Sequence, residues 1–187
     1  IESNSGQLVL SLTATSPTTQ AQVVEYPVTP IGDLEVDADA SFANALKAEN
    51  SGDIKRAERG YRRTLTLQPN HPWALINLGN LVFGQGQHRK ACELYRTATR
   101  AAPTLAAAWY NLANALDELQ QSDAAAGAYS TTLSLEPNYA DAHFNLALLW
   151  EKLGQRGSAK EHWHAYIDLA PEHPSAAIAR AFLESVD

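Results

Sequence analysis

The chain has 187 residues, 45 % of them hydrophobic and 19 % charged, with a formal net charge of −7. That composition excludes a disordered tail, and no run approaches the ~18 consecutive apolar residues of a membrane span. The charge is uneven: residues 1–37 carry Glu2, Glu25, Asp33, Glu35 and Asp37 with no Lys or Arg, and the remainder is nearly neutral. A single cysteine, Cys92, excludes an internal disulfide framework and suits a reducing compartment. A cytoplasmic location is therefore expected, with a periplasmic one also compatible. The chain starts at Ile1 and contains no Met, so it is expected to be a fragment or a processed form.

In chain order, residues 1–37 come first. QLVLSLTA at 7–14 alternates in polarity, and TSPTTQAQVVEYPVTP follows, rich in Thr, Val and Pro. This predicts an extended or β-like N-terminal segment or linker, which would dock on the rest of the chain or pair across a homodimer. From residue 38 onward a repeat takes over. Pro69, Pro103, Pro137 and Pro171 are spaced by 34 residues. Twelve residues before each stands an alanine (Ala57, Ala91, Ala125, Ala159), and eight before stands an aromatic (Tyr61, Tyr95, Tyr129, Trp163).

Each column has a mechanical reading. Apolar residues recur at helical spacing, as in Leu75, Leu78 and Val82, then break at Gly84-Gln85-Gly86 before a second helix. The proline ends that second helix, because it lacks an N–H and disfavours helix in the preceding residue. The alanine lets two helices approach, and the aromatic fills the space beside them. Pro72 and Pro174 stand where a first helix should start, a position at which proline is tolerated.

These columns resemble the tetratricopeptide repeat (TPR) family over residues 38–173, in units 38–71, 72–105, 106–139 and 140–173. Trp109, Leu112, Ala113, Ala125, Tyr129 and Pro137 carry the resemblance in the third unit, and Leu78, Gly79, Ala91, Tyr95, Ala98 and Pro103 in the second. The resemblance implies an all-α, right-handed superhelical solenoid of four helix-turn-helix units. Residues 174–187 are expected to add a C-terminal capping helix, apolar on Ile178 and Phe182. The first unit departs from the pattern, with Ser41 and Asn44 where large apolar residues are expected, so its opening helix is expected to be irregular or covered by the preceding segment.

The resemblance further implies that the first helices line a concave groove. Carried over residue by residue, Trp73, Ile76, Asn77, Asn80, Tyr110, Asn111, Asn114, Phe144 and Asn145 become the candidate peptide-binding residues, with Glu49, Asp117, Glu118 and Glu151 as an acidic rim. Asn77, Asn111 and Asn145 recur at 34-residue spacing, and an amide row can pair with any peptide backbone. Packing against a neighbouring helix is the alternative use of the same asparagines. Ile76, Tyr110 and Phe144, with Phe42, form an apolar column read as anchors for a ligand with apolar and basic residues; mutual packing is the alternative. That column also argues against the chaperone-tail clamp of the family, which places lysine there.

Nine bases lie between residues 55 and 100, opposed by Glu58 and Glu93. Arg56, Arg59, Arg63, Arg89 and Lys90 belong to this strip, a candidate secondary basic surface on the second helices. Direct nucleic-acid contact is not expected, since no free aromatics interleave with the bases. No P-loop, GxGxxG, GxSxG or HExxH pattern occurs, and His162 and His164 point to different helix faces. No metal site, cofactor or catalytic residue is therefore expected. The leading reading is a non-enzymatic scaffold or adaptor that binds a peptide segment of a partner. The stretch SGQLVLSL before the repeats also resembles the C-terminal halves of bacterial MerR-like transcriptional regulators, which implies a regulatory or oligomerisation module. A third reading is the non-catalytic repeat array of a larger enzyme.

Overall fold

A computed structural model describes residues 37–186; the expected extended segment and its docking or dimer contacts lie outside the described residues. Among the described residues there are nine α-helices and no strand: α1 (Ala38–Asn50), α2 (Ile54–Leu67), α3 (Pro72–Gly84), α4 (His88–Ala101), α5 (Ala106–Glu118), α6 (Ser122–Leu135), α7 (Ala140–Lys152), α8 (Arg156–Leu169) and α9 (Ala176–Val186). The all-α helical-repeat fold is as the sequence predicts. The helices divide between two compact units, one holding α1 to α4 and the other α5 to α9.

Within the first unit α1 packs on α2, α3 on α4, and α2 on α3. Short turns make each pair a hairpin. The N–H of Gly52 bonds Glu49 O at 2.9 Å and that of Asp53 bonds Ala48 O at 2.9 Å, a Schellman closure with Gly52 at φ +79°. Gly86 repeats this at φ +76°. Side chains cap the next helices: Asp37 Oδ1 accepts from Ala40 N at 2.7 Å, Asp53 Oδ1 from Arg56 N at 3.0 Å and His71 Nδ1 from Ala74 N at 3.1 Å. Pro72 occupies the first turn of α3, where its missing N–H is not needed.

The opening helix α1 is regular, contrary to the expected irregularity, and the reason lies opposite it. Ser41 is buried and its hydroxyl donates to Gly60 O at 3.3 Å. A Cβ on Gly60 would stand 2.6 Å from Ala45 Cβ and 3.0 Å from Ala45 Cα. Small residues on both helices, Ala45 and Gly60 above all, let the backbones approach.

Within the second unit α5 packs on α6, α7 on α8, α6 on α7 and α8 on α9. Its first turn places Gln120, not glycine, at φ +58°; the next uses Gly154 at φ +73°. The last helix starts at Ala176, two residues later than Pro174. Its buried face is Ala176 and Ala179, with Phe182 and Leu183 packed against Phe144, Trp163 and Tyr166. Phe182 therefore faces the core as expected, whereas Ile178 is 49 % exposed; the three- and four-residue steps from Ala176 leave it on the opposite side.

Candidate functional site

The aromatic column is where the polar chemistry collects. In the first unit the buried Tyr61 hydroxyl donates to Glu49, and the Asn77 amide donates to the same hydroxyl at 3.1 Å. Tyr95 instead donates to Asn80 Oδ1 at 2.7 Å. In the second unit Tyr129 donates to Asn114 Oδ1 at 2.6 Å, and Trp163 Nε1 donates to Glu151 Oε1 at 2.5 Å. Two acceptor positions one helical turn apart thus share one task. Where Leu46 and Leu148 stand at the first, Glu49 and Glu151 supply the acceptor from the second; where Asn80 and Asn114 stand at the first, the second is free to be Phe83 or Asp117. A column-by-column comparison of these pairs would have exposed that reciprocity.

This network corrects the exposed-row reading of the asparagines. Asn77, Asn80 and Asn111 are buried. Asn145 is half-buried and donates to Tyr110 OH at 3.1 Å and to Asn114 Oδ1 at 3.0 Å. The amides of Asn77, Asn80 and Asn145 bond to phenols or to a neighbouring asparagine, since an unpaired polar group inside costs about 1–3 kcal/mol. Asn77 Oδ1 alone of these is buried without a partner.

The apolar column is likewise internal. Ile76, Tyr110 and Phe144, with Phe42, are each 5 % exposed or less. Phe42 stacks on His71 at 4.6 Å between ring centroids, Tyr110 on Tyr139 at 4.9 Å, and Phe144 meets Trp163 at 5.2 Å and Tyr166 at 5.0 Å. They are core residues and not open anchors: the turn residues His71 and Tyr139 fold over Phe42 and Tyr110, and Trp163 and Tyr166 enclose Phe144. Of the expected groove residues, Trp73, Asn114 and Asn145 remain half-exposed. Asp117 and Glu151 share that character, and Asp117 accepts from Lys152 Nζ at 3.2 Å. Glu49, expected on the rim, is buried.

Burial sets the ionisation of these groups. It pushes the Glu49 carboxyl above its ordinary range, against the Tyr61 hydrogen bond, which pulls it down. It also pushes up the phenols of Tyr61, Tyr95, Tyr110 and Tyr129. Burial holds His71 down, with Asp39 opposing. Cys92 is buried, which pushes its thiol up, so it behaves as the small apolar residue the sequence suggests.

A contact the sequence did not reveal joins α7 and α8. His143 Nδ1 lies 3.0 Å from His162 Nδ1, and His143 Nε2 lies 3.0 Å from Pro137 O. The carbonyl requires a proton on His143 Nε2, so His143 Nδ1 accepts from His162 when both are neutral. Burial first, then the charge of His143, lowers His162. Spacing of 19 residues hides such a pair from any local pattern. Among the described residues no three His, Cys, Asp or Glu side chains gather where they would hold a metal ion.

The basic residues Arg56, Arg59, Arg63, Arg89 and Lys90 are all exposed. Arg56, Arg59 and Arg63 come together around one open depression between α1 and α2, whereas Arg89 and Lys90 stand apart from it on α4. None of the described helices is long and apolar enough to cross a membrane.

Comparison with known proteins agrees with this architecture. The chain is similar to the crystal structure of MamA protein, at 25 % identity and a TM-score of 0.69, over 79 % of this chain and 82 % of that one. It is also similar to YrrB, described as a TPR protein with an unusual peptide-binding site, at 21 % identity and a TM-score of 0.68, over 81 % and 80 %. A third likeness is to an O-GlcNAc transferase of Thermobaculum terrenum, at 28 % identity and a TM-score of 0.63, over 72 % of this chain and 26 % of that one. No curated protein sequence matches significantly. The family model described as tetratricopeptide repeat matches residues 42–106 and 110–155. The chain belongs to the tetratricopeptide repeat family.

Proposed function

We propose that this chain is a non-enzymatic interaction module that binds a peptide segment of a partner protein along its first helices. The observation that carries the reading is the half-open polar strip on α5 and α7, where Asn114, Asp117, Asp141, Asn145 and Glu151 stand partly exposed beside Leu148. Amides there can pair with a backbone, and the carboxylates favour a ligand with basic residues. In the other unit Trp73 on α3 offers a half-exposed aromatic of the same use. Asn145 also holds α7 to α5 through Tyr110 and Asn114, fixing the helices that present this strip. A peptide-binding site in YrrB, a protein of the same fold, is consistent with the reading.

A pull-down with the whole chain tests it, comparing wild type with Asp117→Lys and Asp141→Lys together. Loss of partners at unchanged helicity is the expected result; equal recovery by both chains would remove the proposed strip. Asn77→Ala is a poor probe because it opens a buried network. A second reading, the repeat array of a larger enzyme, is favoured by one observation: this chain spans 26 % of the O-GlcNAc transferase it resembles. A catalytic domain encoded in the same reading frame would support it.

A further inference from the structure

The α7–α8 hairpin differs from the three before it at one facing pair of columns. Where the earlier hairpins set Ser41 against Gly60, Leu75 against Leu94 and Trp109 against Ala128, this one sets His143 against His162. One of the two histidines has a structural task that another residue type already performs. His143 Nε2 lies 3.0 Å from Pro137 O, and Trp109 Nε1 donates at 2.8 Å to Pro103 O, the carbonyl 34 residues earlier. An indole satisfies that carbonyl as an imidazole does, and needs only an alanine opposite. Helix pairing therefore explains one imidazole and leaves the second, and their meeting, without a purpose.

An imidazole differs from an indole in keeping a lone pair on one ring nitrogen while the other carries the proton. The Pro137 carbonyl holds the His143 proton on Nε2, so the lone pair is on Nδ1. A backbone carbonyl on the far nitrogen is the support that fixes a metal-ligating histidine. That Nδ1 lies 3.0 Å from His162 Nδ1. With metal–nitrogen bonds of about 2.0–2.1 Å, two nitrogens so placed subtend about 91–97° at a shared ion. Adjacent ligands of a square-planar or octahedral ion stand about 2.9 Å apart, whereas tetrahedral ones need about 3.3 Å. Both rings are half-buried and reach solvent, and the exposed Glu161 brings a negative charge that acts on His162. In the neutral pair the shared proton sits on His162 Nδ1. Ligation moves it through solvent to His162 Nε2, so that ring stays neutral and both lone pairs turn to the ion.

We infer that His143 and His162 are paired ligands for a divalent transition-metal ion of square-planar or octahedral preference, Cu(II) foremost by its place in the affinity order of such ions. No third His, Cys, Asp or Glu among the described residues joins them, so water or a donor group of a bound molecule completes the coordination. The ion cross-links α7 to α8 in place of a hydrogen bond. The site is independent of the peptide strip on α5 and α7, because His143 stands two residues from both Asp141 and Asn145 and so lies on another side of α7.

The test titrates Cu(II) alone into the full-length chain by calorimetry, with electron paramagnetic resonance of the equimolar mixture. Two double variants borrow pairs that the chain itself uses: His143→Leu with His162→Leu, as at Leu75 and Leu94, and His143→Trp with His162→Ala, as at Trp109 and Ala128. His164→Ala controls for an exposed imidazole on the same helix. Wild type should take up one ion per chain and show two nitrogen ligands. Both double variants should bind at least tenfold more weakly at unchanged circular dichroism, and His164→Ala should match wild type. Equal Cu(II) affinity in wild type and a folded double variant would overturn the proposal. So would a loss in His164→Ala as large as in the double variants. Should a double variant unfold, His162→Ala alone decides in the same way, because it leaves the Pro137 contact of His143 in place.

Discussion

Replacing Tyr61 with Phe isolates the central polar contact of the first unit. The substitution keeps the ring, which is fully buried, and removes only the oxygen. That oxygen donates to the buried Glu49 carboxylate and accepts from Asn77 Nδ2. A hydrogen bond to a charged group contributes about 1.5–3 kcal/mol, and a buried donor left unpaired costs about 1–3 kcal/mol. Asn77 Oδ1 has no partner already, so the variant would leave that amide wholly unsatisfied. The two losses share one network and do not add fully, so a destabilisation of about 2–4 kcal/mol is expected at pH 8. It should shrink at pH 5.5. The Glu49 carboxyl is already raised by burial and lowered by Tyr61; without the phenol it rises further and is relieved by protonation. A group raised in the folded state stabilises most below its unfolded value and loses that contribution as pH rises. Urea titrations followed by circular dichroism at both pH values measure this, with hydrogen exchange of α1 to α3 guarding against unit-by-unit unfolding. A loss below about 0.5 kcal/mol, or one independent of pH, would refute the reasoning.

Gln120→Gly should raise stability by up to about 1 kcal/mol, because Gln120 holds a left-handed φ of +58° that its counterparts meet with glycine; an unchanged or lower urea midpoint would contradict this. Gly60→Ala should lower the melting temperature despite alanine's helical advantage of about 1 kcal/mol, since the new methyl meets Ala45 backbone at 3.0 Å. A higher melting temperature would show that α1 and α2 separate freely. Burial lowers both His71 and His162, so the unfolded chain binds more protons below its ordinary value of about 6.5, and stability should fall as pH drops through that value. His71→Asn keeps an acceptor for Ala74 N that cannot be protonated, so its melting temperature should fall less between pH 7.5 and 5.5; an identical slope would clear His71 of any role.

The 34-residue spacing of Pro69, Pro103, Pro137 and Pro171 sufficed to name the repeat, and the Ala57 and Tyr61 columns located the helix pairs, because helix termination and close packing are local demands repeated in every copy. The same spacing marked Asn77, Asn111 and Asn145 as special without saying which way they serve. Only the tertiary structure decided that, by placing Tyr61 beside Asn77 and Tyr110 beside Asn145, residues 16 and 35 apart. A buried phenol must find a partner, and the amide nearest in space takes the task whatever its column suggests about a ligand. The His143–His162 pair and the arginine-lined seam at Gly60 were hidden for the same reason: each depends on what faces it across a helix hairpin, a relation that period alone leaves open.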